Sequence, residues 1–189
     1  MVNNKLNISS KIPKNRYLED FLSYLEVEKG RSANTIENYR FYLTRFFDWV
    51  IRIEKYAPAL NPKNINLLLI NRYRIYLNRL TSEDGEPLKK NTQNYHLIAL
   101  RSFLKFLAKR EIKSLAPEAI ELAKVGERSL DLITKRELDL LLSAPKGEDL
   151  KSLRDKAILE LLFSTGLRVS ELCSLGSDID LTSPEISVR

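Results

Sequence analysis

The sequence predicts a mainly α chain: four helices forming a compact bundle of about 100 residues, then a second, shorter helical stretch that turns toward a strand. Three observations carry this expectation. Apolar residues recur at three- and four-residue spacing in nearly every segment, which places them on one side of a helix at about 100° per residue. The breaks between those segments are turn-forming clusters, "APALNPKN" and "TSEDGEP". The 189 residues are 43% apolar and 30% charged, enough for a core and a well-solvated surface.

Taken in order, residues 1–16 are polar and read as a flexible amino terminus without a signal core. "YLEDFLSYLEVEKG" puts Leu18, Phe21, Leu22 and Leu25 on one stripe and stops at Gly30. "RSANTIENYRFYLTRFFDWV" repeats Ile36, Tyr39, Leu43, Phe46, Phe47 and Val50, with Ser32 or Asn34 as its cap. A third helix is expected over about 65–80. The fourth, over about 91–110, is expected to bury Tyr95, Ile98, Phe103, Phe106 and Leu107. These helices make one domain, 17–110. Residues 111–132, with Pro117 and Gly126, read as an interdomain linker that includes a short helix around "PEAIELAK".

The second domain, 133–189, opens on "TKRELDLLL", where Thr134 and Glu137 form a capping box. "LKSLRDKAILELLFST" is the next helix, closed by Gly166 as a left-handed cap. A short helix, "RVSELCSL", follows with Val169, Leu172 and Cys173 on its buried face, and "EISVR" reads as the start of a strand.

Composition excludes several function classes. No apolar run approaches the ~20 residues a membrane span needs, so a membrane partner is not expected. One cysteine, Cys173, precludes an internal disulfide framework and fits a reducing, cytoplasmic location. One histidine, His96, argues against a protein-only zinc site. Charge is unevenly placed. Residues 1–110 hold 20 Lys and Arg against 10 Asp and Glu, a balance of +10; the remainder holds 11 against 15, a balance of −4. A strongly basic half points to a polyanion, and nucleic acid before membrane.

Helices two and four resemble each other. Each opens on an Asn-Thr pair, Asn34-Thr35 and Asn91-Thr92, followed by Asn38-Tyr39 and Asn94-Tyr95. Outside the apolar stripe, helix two carries Asn34, Asn38, Phe41 and Arg45, preceded by Arg31; helix four carries Lys90, Asn94, Arg101 and Lys105. Amides and hydroxyls at a helix start, with arginines further along the same face, suit phosphate and groove contacts. The alternative is an ordinary solvated face. In "FSTGLRVSEL", Gly166 permits a sharp reversal, and Arg168 then sits at a helix edge with Glu171 three residues on. A guanidinium braced by a carboxylate suits bidentate grip of a phosphate; a plain surface ion pair is the competing reading.

"LRDKAILELLFSTGLRVSELCSL" resembles the first catalytic motif of the tyrosine recombinases, the phage-integrase and Xer group. "YLEDFLSYLEVEKGRSANTIENYRFYLTRFFDWV" and "NTQNYHLIALRSFLKFLAKR" resemble their amino-terminal core-binding domain, and the likeness runs in family order through 17–189. The resemblance implies a four-helix SAM-like core-binding domain followed by the truncated start of an α+β catalytic domain. It makes Arg168 the first catalytic arginine, on the scissile phosphate, and Glu171 its acidic support. It implies duplex DNA carrying a recombination site as partner, further recombinase protomers assembled on that DNA, and strand exchange through a 3′-phosphotyrosyl intermediate without metal or nucleotide cofactor. The DNA-binding residues expected on the core-binding domain are Arg31, Asn34, Thr35, Asn38, Arg45, Lys90, Asn91, Thr92, Asn94, Arg101 and Lys105. After Arg168 the family pattern continues with a lysine, a His-x-x-Arg motif, a further His or Trp, and the nucleophilic tyrosine. No lysine, histidine, tryptophan or tyrosine follows Arg168 here, so the chain reads as a fragment that binds DNA but lacks the nucleophile. Two other readings stay open: a short DNA-binding module that occupies recombination sites without cutting, and a helical protein-interaction domain.

Overall fold

A computed structural model describes residues 15–55, 61–81, 85–126 and 131–176. The chain divides into two units, Met1–Glu127 and Arg128–Arg189. The expected flexible stretch before residue 15 and the expected strand at "EISVR" lie outside the described residues.

In the first unit, α1 (Arg16–Val27) starts where the Asn15 side chain accepts the Tyr17 N–H, satisfying one of the donors a helix start leaves unpaired. It ends as Gly30 takes φ +56, which lets the Arg31 N–H reach back to the Leu25 carbonyl. α2 (Ala33–Arg52) is capped by Ser32, whose oxygen accepts the Thr35 N–H at 3.4 Å. A single 3₁₀ turn, Pro62–Asn64, leads into α3 (Leu67–Arg79), capped by Asn66 on the Leu69 N–H at 2.9 Å. α4 (Lys90–Lys109) begins after Lys89 with no side-chain cap.

The core lies where these helices meet. Phe21 of α1 touches Phe103 and Phe106 of α4 at ring separations of 5.6 and 5.5 Å, and Phe47 of α2 meets Phe103 at 5.9 Å. Trp49 packs against Tyr73 and Tyr76 of α3 at 5.1 and 5.7 Å. Aromatic side chains in tilted and edge-on contact add to the burial of their area, which makes this seam the main source of cohesion in the unit.

α4 departs from expectation in register. Tyr95 is 52% exposed and Ile98 38%, whereas Leu97, Leu100, Leu104 and Leu107 are buried. The leucine stripe wins because it continues without a break into Phe103 and Phe106, while the Tyr95–Ile98 line runs out into Ser102 and Lys105. Residues 112–126 also pack back on the bundle. Ile120 is fully buried, Pro117 is buried, and Ile112 and Leu115 lie against the core. The helix expected around "PEAIELAK" is only a 3₁₀ turn, Pro117–Ala119, followed by irregular chain.

In the second unit, α5 (Lys135–Leu142) has the expected capping box, with Glu137 N–H donating to Thr134 Oγ1 and the Glu137 carboxylate accepting the Thr134 N–H. α6 (Leu150–Thr165) is capped by Asp149 and ends at Gly166, φ +68, as expected. α7 (Val169–Cys173) is one short turn and a half. The buried face expected on α7 is not seen: Val169 is 67% exposed and Cys173 is exposed rather than a core residue. Residues 131–176 put the three helices in chain-order contact and supply no second layer to cover those apolar faces.

Candidate nucleic-acid interface

On α2 and α4 the Asn-Thr pairs occupy the same place, the second and third residues of each helix. Asn34, Asn38 and Asn91 are exposed, Thr35 and Thr92 are half-buried, and Arg31 is exposed immediately before the α2 cap. Thr35 Oγ1 lies 3.0 Å from Ser32 Oγ, so it is engaged in the cap. At the start of α4 no side chain covers the backbone donors, which leaves their partial positive charge facing outward.

Along α4 one line of exposed residues runs Asn91, Tyr95, Ile98, Lys105, all within about 40° of Asn91 around the axis. Arg101, half-buried, flanks that line. Lys90 lies off to one side and donates to Asn78 Oδ1 at 2.7 Å, toward α3.

Two expected DNA contacts are corrected by their placement. Arg45 shares the Asn34–Asn38–Phe41 face by spacing, yet it is buried, 7% exposed. The ring of Phe41 covers its guanidinium at 4.5 Å, and Arg45 Nη1 turns toward α4, 3.5 Å from His96 Nε2. Since a guanidinium only donates, His96 Nε2 is the acceptor and Nδ1 carries the proton, 3.1 Å from Tyr73 Oη. Burial, then the Arg45 charge, pulls the His96 pKa down to about 3, against a smaller opposing effect of the Tyr42 backbone. The imidazole is therefore neutral, and Arg45, His96 and Tyr73 form a buried polar tie between α2, α4 and α3.

Asn94 is the second correction. Its amide donates to the Ala123 carbonyl at 2.9 Å, and its oxygen accepts the Ala123 N–H at 3.0 Å. The segment after α4 folds over that side of the helix and engages both the nitrogen and the oxygen of the amide. Sequence spacing could not reveal this, because the covering residues lie 29 positions away. Spacing also missed the exposed pair Tyr95 and Ile98; the unbroken leucine stripe was the signal that would have released them from the core.

In the second unit, Arg168 is the residue before α7, in extended backbone, with its side chain 82% exposed. The Glu171 carboxylate accepts the Arg168 backbone N–H at 2.7 Å and its guanidinium at 2.8 Å. Those two bonds, the backbone one first, hold the Glu171 carboxyl below its ordinary pKa. The result is an exposed guanidinium with its stem fixed and most of its donors open, a shape that fits a phosphate oxygen pair. Among the described residues no group of three His, Cys, Asp or Glu could hold a metal ion, and no described helix is long and apolar enough to cross a membrane.

Comparison with known proteins points one way. The family described as "Phage integrase, N-terminal SAM-like domain" matches residues 18–111, and "Phage integrase family" matches 131–189. A protein named tyrosine recombinase XerD from Halalkalibacterium halodurans is 36% identical over 170 residues, 89% of this chain and 54% of that protein. Another of that name from Vibrio vulnificus is 31% identical, over 92% of this chain and 52% of its own length. Tyrosine recombinase XerC of Bacillus subtilis is 32% identical, over 92% and 54%. The chain thus spans about half the length of the curated relatives it matches. No solved structure matches it.

Proposed function

This chain belongs to the phage integrase family of tyrosine recombinases, and we propose that it is the DNA-clamping portion of a site-specific recombinase together with the first part of the catalytic domain. In this reading the first unit, a SAM-like four-helix core-binding domain, lies against duplex DNA through the exposed starts of α2 and α4. The partners are the recombination site and further protomers bound beside it, in the cytoplasm.

The observation that carries the chemical part is the Arg168 corner. The left-handed Gly166 turns the chain so that α7 begins at the surface, and Glu171 fixes the arginine's backbone and one end of its fork. The remaining donors would meet the scissile phosphate and stabilise the charge that builds on it as a tyrosine attacks. Glu171 acts here as a positioning group: by accepting two bonds it holds Arg168 without competing for the phosphate. The tyrosine itself is not available from this sequence, since all eight lie between Tyr17 and Tyr95, in the other unit.

The experiment uses the 189-residue chain with a nicked duplex that traps covalent intermediates. The expected outcome is a gel shift that weakens steeply with salt, because phosphate contact releases counterions, and no adduct surviving boiling in detergent. Absence of any shift at low salt would remove the DNA-clamp reading. A detergent-stable adduct mapped to a tyrosine of the first unit would overturn the assignment of the catalytic part.

A further inference from the structure

The apolar side chains at the surface of α2 and α4 are unexplained by charge. Phe41 (41% exposed), the half-buried Tyr42, Tyr95 (52%) and Ile98 (38%) are not scattered. Phe41 contacts Tyr42 at 5.5 Å, and Tyr42 stacks on Tyr95 across the helix pair at 6.4 Å. Ile98 follows Tyr95 by one turn on the same line. The outcome is one continuous apolar ridge that bridges two helices, in the middle of the surface whose ends are Asn34, Asn38 and Asn91 on one side and Lys105 on the other. The ridge is also anchored from below. Tyr42 lies 4.7 Å from the His96 ring, and the Phe41 ring is seated on the Arg45 guanidinium, so neither aromatic is free to fold away.

An apolar strip bordered by amides and cations fits few occupants. A protein partner of ordinary kind would bring its own apolar face but gain nothing from open helix-start donors and an excess of ten positive charges over residues 1–110. Duplex DNA presents the complementary arrangement: phosphates on both sides for the cations and helix start, and between them a major groove whose only apolar group is the thymine methyl. We propose that the Phe41–Tyr42–Tyr95–Ile98 ridge reads thymine methyl groups in the major groove, so that this chain prefers sites with thymines at the positions the ridge covers. The proposal rests on the DNA-clamp reading above and adds the base feature that is read. Asn38 and Asn91, beside the ridge, have the amide geometry to pair with the adenine opposite such a thymine.

The test compares thymine with deoxyuridine, which lacks only the methyl. A duplex is selected by the 189-residue chain from a random-sequence library, then remade with deoxyuridine at every thymine. Wild type is expected to bind the deoxyuridine duplex more weakly, by about fourfold for each methyl contacted. Tyr95→Ala/Ile98→Ala is expected to bind both duplexes equally, with its melting temperature close to wild type because both side chains are exposed. Phe41→Leu, which retains cover over Arg45, serves as a second variant if the first is destabilised, and is expected to narrow the preference. Equal wild-type affinity for the two duplexes, with binding intact, overturns thymine reading and leaves the DNA clamp standing. A preference that survives both variants overturns the assignment to this ridge. No binding to either duplex at low salt overturns the clamp itself, and self-association lost in Tyr95→Ala/Ile98→Ala assigns the ridge to a second copy of this chain instead.

Discussion

His96 behaves as a stability element with a sign. In the unfolded chain its imidazole takes up a proton as pH falls through about 6.5, whereas in the folded chain burial and Arg45 hold that event down to about 3. Between those values the unfolded state binds more protons, so stability that is complete above the upper value is lost as acidity rises, by about 1.4 kcal/mol per pH unit. His96→Gln, which still accepts from Arg45, is expected to flatten the fall in stability between pH 6 and 4, as measured by urea melts. Parallel slopes for the two proteins would show that the ring titrates normally. The same contact explains why Arg45 could not be placed from spacing alone: a cation on a polar stripe looks solvated until the ring that covers it, Phe41, is located in space.

At the scale of elements, what is local was legible and what is distant was not. The caps at Ser32 and Thr134, the stop at Gly166 and the extents of α1, α2 and α6 all follow from residues within a turn of each other. The register of α4 and the packing of 112–126 depend on partners far along the chain, and there spacing misplaced Tyr95, Ile98 and Asn94. Of the candidate site, the Arg168–Glu171 pairing was readable because it spans three residues; the Asn94–Ala123 clasp was not. Two substitutions probe these elements. Ile120→Ala, removing a fully buried side chain beyond α4, is expected to cost the helical unit about 2–5 kcal/mol, seen in its denaturant midpoint; a midpoint near wild type would mean that 112–126 contributes little to the unit. Gly166→Ala meets no atom within 4 Å, so its cost is backbone alone, about 1–2 kcal/mol for a left-handed non-glycine residue. Faster amide exchange in the last turn of α6 would register it, while Gly126→Ala, equally open in space but with an ordinary φ, is expected to change nothing.

For the molecule as a whole, charge and cohesion sit in the same unit. The first unit holds every fully buried side chain among the described residues and the basic excess; the second holds no buried residue among those described and an acidic balance. DNA affinity should therefore follow the first unit's surface. Arg101→Gln with Lys105→Gln is expected to weaken binding of any duplex by several-fold and to reduce the slope of log affinity against log salt by about two. Unlike truncation of the apolar ridge, this change should affect thymine and deoxyuridine duplexes alike. An unchanged slope in a salt titration would move the phosphate contacts off α4. Arg45 is left out of this pair because its replacement would break the tie to His96 rather than a surface contact.

The seat of Trp49 makes the two units separable by light. It is the chain's single tryptophan, and all the tyrosines lie at or before residue 95, so intrinsic emission and near-ultraviolet dichroism originate almost wholly in the helical unit. Trp49 is 2% exposed with Tyr73 and Tyr76 against it, which makes its emission blue-shifted while that unit is folded and fed by energy transfer from its neighbours. The second unit is nearly dark, with Phe163 its only aromatic side chain. A change in Trp49 emission on adding DNA to the intact chain is therefore a report from the helical unit, with no need to cut the protein or attach a dye.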